Sequence, residues 1–218
     1  MGGDLMRWPR LPTSWFLPRS FDVLGMLRAQ LVLVEQGMRV LNRWGHGEVA
    51  THDASAELRV VAEAARVARR DLHHAVRDSF STPIEAEDLF ELGERLGEIT
   101  EAGYALIRES ELSCSGPTCL APDPYLVGLL DSLADAAVPL AEGLRALPGG
   151  AAAKYADRAI EALSGAEHAY RAAIADLENE PDVRRELRRR ELYRRAEHLH
   201  AAILRVARRT GYSVYKSR

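Results

Sequence analysis

The chain has 218 residues, of which 47% are hydrophobic and 28% charged, and its formal net charge is −3 at pH 7. This composition is ordinary for a soluble globular protein, and the small net charge excludes nucleic-acid binding through overall electrostatics. Charged residues interrupt the most apolar runs, and the N-terminus lacks an apolar core of signal-peptide length. We therefore expect no membrane span and a cytoplasmic protein.

The first half of the chain predicts an extended arm followed by three helices. Residues 1–20 hold three prolines, Pro9, Pro12 and Pro18, and form the expected arm. A three-helix bundle is predicted over residues 21–112. Its first helix has apolar residues at spacings of 3 and 4, namely Leu24, Leu27, Leu31, Val34, Met38 and Leu41. Its second helix, over residues 53–79, has a stripe of mostly small residues that allows close packing.

The third helix has a detailed start signal. Thr82 is expected to cap it, Pro83 to occupy its first position, and Glu85 to complete a capping box. An apolar stripe continues through Leu89, Leu92, Leu96, Ile99, Gly103 and Leu106. The opposite face, expected to be exposed, carries Glu87, Asp88, Glu91, Glu94, Glu98 and Glu101. The sequence thus predicts a long amphipathic helix with an acidic outer face.

Residues 113–123 are the predicted linker, and a second three-helix bundle is predicted over residues 124–210. The linker holds Cys114 and Cys119, whose spacing is too wide for a redox C-x-x-C motif. We expect either two loop thiols without a function or a disulfide that forms on oxidation. The Asp123–Pro124 pair predicts the start of the fourth helix. Two further helices follow over residues 151–178 and 182–209, and residues 211–218 are a predicted tail. The fold class is all-α, with six long helices as two pseudo-repeated three-helix bundles.

Two helix surfaces carry concentrated charge of opposite sign. Glu94, Glu98 and Glu101 share one strip, where their mutual repulsion is expected to be offset by a bound cation or a neighbouring basic helix, unless solvent alone screens it. The last helix is rich in arginine, and we predict a partner-binding surface formed by Arg184, Arg185, Arg188, Arg189 and Arg190. Nucleic acid is not the expected partner, because no aromatic residues are interleaved and no groove-reading motif precedes the arginines.

The sequence has no arrangement typical of an enzyme. It lacks a glycine-rich phosphate loop, a G-x-S-x-G motif and an H-E-x-x-H motif. Glu197 and His200 form a Glu-x-x-His pair, and Asp71 and His74 an Asp-x-x-His pair. The inward positions beside them belong to leucines, which argues against a buried di-metal centre. We therefore predict a non-enzymatic protein without catalytic residues.

The segment that starts at Phe80, F-S-T-P-I-E-A-E-D-L-F-E-L, resembles the F-x-T-P-x-D-R-E-D-I-x-x-L signature of PhoU-like phosphate-transport accessory proteins. The segment F-L-P-R-S-F-D-V-L from Phe16 is similar to the family's entry to its first helix. This resemblance implies two three-helix units and regulation of a Pit-type phosphate transporter. It also implies multinuclear metal clusters held on the bundle surface by E/D-x-x-x-D motifs.

Carried onto this chain, the resemblance implies degenerate metal motifs. The retained acids are Glu63, Glu98, Glu101, Glu167 and Glu197, and they are the predicted ligands of a divalent, iron or zinc cation. The lost acids are replaced by Val67, Gly97, Leu163 and Tyr193. The predicted function is regulation of phosphate transport through contact with a transporter or signalling partner, peripheral to the inner face of the membrane. The alternatives are a metal-binding bundle with a storage or enzymatic role and a structural dimerisation adaptor, and a homodimer is compatible with each.

Overall fold

The computed structural model describes residues 21–113 and 121–216. Within these ranges the chain forms six α-helices and no strand, so the predicted all-α class is confirmed. The helices are α1 (Val23–Gly45), α2 (Thr51–Asp78), α3 (Ala86–Ser113), α4 (Pro124–Arg145), α5 (Ala151–Asp176) and α6 (Val183–Lys216). A short 3₁₀ turn, Leu177–Asn179, follows α5. The predicted arm and both cysteines lie outside the described residues.

The helices pack as two groups of three that share one core. Helices α1, α2 and α3 contact one another, as do α4, α5 and α6, and the two groups meet where α1 packs on α4 and α3 packs on α6. In the described part of the chain, α2 and α5 contact only helices of their own group. The buried apolar side chains of all six helices form a single cluster. The two predicted bundles are therefore halves of one continuous interior.

The predicted helix start is confirmed for α4 and is wrong for α3. The Asp123 carboxylate accepts a hydrogen bond of 3.0 Å from the Leu126 backbone N–H, and Pro124 is the first helical residue, as predicted. Helix α3, in contrast, begins at Ala86 rather than at Pro83. The Thr82 hydroxyl donates to the Ile84 carbonyl oxygen at 2.6 Å and does not cap the helix. This local side-chain bond closes a turn that replaces the predicted first helical turn.

Helix α6 continues beyond its predicted end. Residues 211–216, assigned to a tail, are helical and pack against the other helices. Thr210 and Ser213 are buried and Val214 is 3% exposed, so burial of this last stretch supports the additional turns. The contact between α6 and α3 therefore continues into the last turn of α6.

Helix α4 is unusually apolar. By length and composition alone it could cross a membrane, because its most apolar window has a mean hydropathy of 1.2. In the structure its inward residues, among them Leu126, Leu133 and Leu140, are part of the shared core. A core position accounts for this face of α4, while its outer face lines the groove described further below.

Candidate functional site

The acidic strip of α3 is neutralised by arginines from both neighbouring helices. Arg69 of α2 lies between Glu94 and Glu101, with its Nη1 atom 3.6 Å and 3.5 Å from their carboxylates. On the other side, Arg205 of α6 donates to Glu98 Oε2 from Nε at 3.0 Å and from Nη2 at 2.8 Å. The repulsion within this strip is therefore offset by basic residues of two neighbouring helices, which is one of the alternatives predicted from the sequence.

The Arg69 side chain also occupies the space beside Gly97, where the family resemblance implies an acid. A Cβ added at Gly97 would lie 2.9 Å from Arg69 Nη1. On α2, Arg66 pairs with Glu63 at 3.0 Å and approaches Glu101 at 3.7 Å. The predicted ligands Glu63, Glu98 and Glu101 are thus each paired with a guanidinium group. This donor set does not fit a metal ion unless those arginines are displaced.

The prediction that the acidic face of α3 is uniformly exposed is wrong at Asp88. Its residue exposure is 1%, and its Oδ1 atom lies 2.5 Å from Arg209 Nη2 of α6. The side chain is on the polar side of α3, but α6 covers that side at this level. Nearby, Lys216 of α6 forms an ion pair with Glu85, just before α3 begins. Ion pairs thus hold this end of α6 against α3.

Arg189 lies inside the protein, although it was predicted to bind a partner. Its side chain is 12% exposed, and its Nε atom donates to Asp123 Oδ2 at 2.9 Å. Its other nitrogens lie 3.2 Å from Asp176 and 3.4 Å from Glu180. Because these carboxylates come from the start of α4, the end of α5 and the segment between α5 and α6, Arg189 links the ends of α4 and α5 to α6. Its guanidinium group is therefore engaged by three carboxylates of its own chain.

Tyr193 completes this cluster. Its hydroxyl accepts a 2.8 Å hydrogen bond from Arg189 and donates to Asp123 Oδ2 at 2.7 Å. Burial, and then the bond to the Asp123 carboxylate, raise the pKa of the Tyr193 phenol above its usual value. Tyr193, at a position where the family resemblance implies an acid, is therefore a buried hydrogen-bonding group of the fold.

The other predicted partner-binding arginines differ in how fully they are engaged. Arg185 pairs with Glu180 at 3.2 Å, and Arg190 pairs with Glu186 at 2.7 Å. In the described part of the chain, the Arg184 and Arg188 side chains form no ion pair. Val183 and Leu187, in the same two turns, are 64% and 58% exposed. We call these four residues, Val183, Arg184, Leu187 and Arg188, the α6 amino-terminal patch.

The two remaining predicted metal ligands share a pocket of about 300 Å³ between α4, α5 and α6. Its lining residues are Leu129, Ala166, Glu167, Tyr170, Arg171, Glu197 and His200. Glu167 is paired with Arg171 one turn along α5. Within the described ranges, no three histidine, cysteine, aspartate or glutamate side chains are gathered closely enough to hold a metal ion together. In the sequence, the Glu-x-x-His spacing already indicated that His200 lies beside Glu197 on the same helix.

The fold of this chain is similar to that of known structures. No family model matches the chain, and no curated protein matches it. Two solved structures from Shewanella oneidensis MR-1 are similar to it: one described as a PhoU-like phosphate regulatory protein, with a TM-score of 0.69, and one described as a PhoU-like protein, with a TM-score of 0.70. Each is 15% identical, and the matches cover 89% of this chain and 100% of the other chain. The chain therefore has the PhoU-like helical fold.

Proposed function

We propose that this protein is a non-enzymatic regulator or accessory protein of phosphate transport, acting by contact with a Pit-type transporter or a signalling partner. The PhoU-like fold and the segment from Phe80 to Leu92 support this proposal. A transporter partner would place the protein in the cytoplasm, peripheral to the inner face of the membrane. The side chains offered to such a partner are those of the α6 amino-terminal patch.

Charge and exposure make this patch suited to an acidic segment with apolar side chains. Arg184 lies in the first turn of α6, where the helix dipole disfavours positive charge, and Arg188 lies one turn further along. Carboxylates of a partner would offset that cost and pair with two guanidinium groups that have no ion-pair partner in the described chain. Val183 and Leu187 would add apolar contact area at the same place. The arginine pair without an ion-pair partner among the described residues is the observation that carries the proposed contact.

Binding should be measured with the transporter encoded in the same organism, by pull-down and by phosphate uptake under phosphate limitation. We expect R184E/R188E to lose capture of the transporter and to alter uptake as a gene deletion does. The matched control is R59E/R70E, which reverses two exposed arginines on α2. Equal loss in both variants would contradict the patch, and unaltered uptake on gene deletion would contradict the phosphate-transport function itself.

A metal-binding role is the second candidate function, and we propose it for the pocket between α4, α5 and α6. Glu167, Glu197 and His200 line that pocket together, but in this arrangement they do not lie close enough to hold an ion, so binding requires their side chains to move inward. One imidazole with two carboxylates is a donor set that suits iron or zinc. The bound metal of the purified protein, measured by elemental analysis, should fall in E197A and stay unchanged in E98A/E101A. Purified protein without metal that also takes up none on dialysis would contradict this role.

A further inference from the structure

A groove of about 670 Å³ runs between α1 and α4 on the side of the molecule opposite the seam of α3 and α6. Its lining residues are Glu35, Met38, Arg39, Asn42, Arg43, Asp131, Ala134, Asp135, Ala137 and Val138. The floor is apolar, formed by Met38 and Ala137, which are 5% and 8% exposed. The α1 wall carries two arginines and Glu35, which pairs with Arg145, and the α4 wall carries two aspartates, so the walls differ in net charge.

The outer face of α4 is only partly buried in the single chain. The stripe that borders the groove has i, i+3, i+4 and i+7 spacing through Asp131, Ala134, Asp135 and Val138. Val138 is 61% exposed. In the most apolar window of α4 only 39% of the residues are buried in the single chain.

Two charged residues of the groove are not satisfied within the chain. Asp131 accepts hydrogen bonds of 2.8 Å from Asn42 and from His46, so its carboxylate is engaged. Among the described residues, in contrast, Arg39 of the α1 wall and Asp135 of the α4 wall form no ion pair. Both are exposed, and they carry opposite charges on opposite walls.

We propose that this groove is a self-association surface in which α4 of a second copy lies between α1 and α4 of the first. A two-fold axis makes the contact reciprocal: Asp135 of each copy meets Arg39 of the other, and Val138 enters the other copy's groove. The 22 residues of α4 span about 33 Å, and two adjacent helices present a face about 20 Å wide. Contact over this whole face would bury at most about 1,300 Å² in the two copies together, at the lower end of the range of specific interfaces.

The oligomeric state of the full chain, measured by sedimentation velocity and light scattering, tests this contact. We expect the natural sequence to dimerise, and R39E and D135R each to raise the dissociation constant by about 30-fold or more. Combining them as R39E/D135R should restore the dimer, because the exchanged charges again face each other between copies. V138E should be monomeric with an unchanged helical circular dichroism spectrum, because Val138 is exposed in the single chain.

The control is D157R, an equal charge reversal at an exposed position on the outer helix α5, which should leave the dimer intact. A natural sequence that is monomeric throughout the micromolar range would overturn the proposal, as would a double variant that is no better than the single ones. A monomer that co-sediments with phosphatidylglycerol vesicles, and loses this binding in V138E, would instead assign the face to a membrane surface.

Discussion

The Arg69 guanidinium lies against Gly97 in the middle of α3, with its Nη1 atom 2.9 Å from the point that a Cβ would occupy. From there it reaches both Glu94 and Glu101. The absence of a side chain on α3 and the presence of a long cation on α2 are therefore complementary. One turn away, Gly93 has a different neighbour: its Cβ would lie 2.7 Å from Cδ2 of the buried Leu72.

Alanine at these two glycines should therefore give different results. Gly93→Ala presses on a core leucine that has no free space, and we expect a loss of about 1–3 kcal/mol in the free energy of unfolding. Gly97→Ala displaces the end of a flexible arginine and gains about 1 kcal/mol of helix propensity, so its net effect should be near zero. Urea unfolding of both variants measures the difference. Equal destabilisation would show that Arg69 is held as rigidly as the core.

Local signals in the sequence predicted most of the fold. They could not predict which polar side chains become buried when the second group of helices packs on the first. The Asp123–Pro124 start of α4 depends only on adjacent residues and was confirmed. The periodic stripe of α1 likewise placed Leu27, Leu31 and Leu41 in the core. Thr82 shows the limit of such signals, because its hydroxyl had a competing acceptor two residues away.

The residues of the candidate sites depend on contacts between distant segments. Asp88 occupies a polar position on the α3 wheel, and only the docking of α6 makes it buried. Arg189 belongs to an arginine run that looks uniform in sequence, but three carboxylates from other segments select it for burial. Glu167 and Glu197 similarly share a pocket because α5 packs on α6. Spacing within one helix contains no information about these pairings.

The Asp88–Arg209 pair should be the most costly ion pair to break from one side. Arg209→Met leaves a carboxylate that is 1% exposed without its counter-charge, and we expect a loss of about 3 kcal/mol or more. Arg205→Met removes an ion pair whose Glu98 side chain is 43% exposed, so its loss should stay below about 1 kcal/mol. Chemical unfolding of both variants gives the comparison. If D88N added to R209M recovered no stability, the uncompensated carboxylate would not be the cause.

Tyr193→Phe tests the cluster that joins the termini of α4, α5 and α6. The variant keeps the ring in the core and removes only the hydroxyl that links Arg189 to Asp123. We expect a loss of about 1–3 kcal/mol, since two partly buried polar partners lose a hydrogen bond. Tyr215→Phe is the control, because that residue is 63% exposed. Thermal unfolding should separate the two variants, and equal melting temperatures would argue against a structural role for this hydroxyl.

Glu111 should make a measurable contribution to acid stability. Hydrogen bonds from Ser55, then Arg108, and also from His52 lower the pKa of its carboxyl to about 2. Because the pKa of the folded state is depressed below the ordinary value of 4.5, this stabilisation is fully present above about pH 4.5 and is lost as the pH falls toward 2. Glu111→Gln removes the titrating group. Its melting temperature should therefore be lower than that of the natural protein at pH 7, and the difference should shrink between pH 4.5 and pH 2. Ser55→Ala removes the largest cause of the shift and should give an intermediate profile, whereas parallel profiles for all three proteins would contradict the assignment.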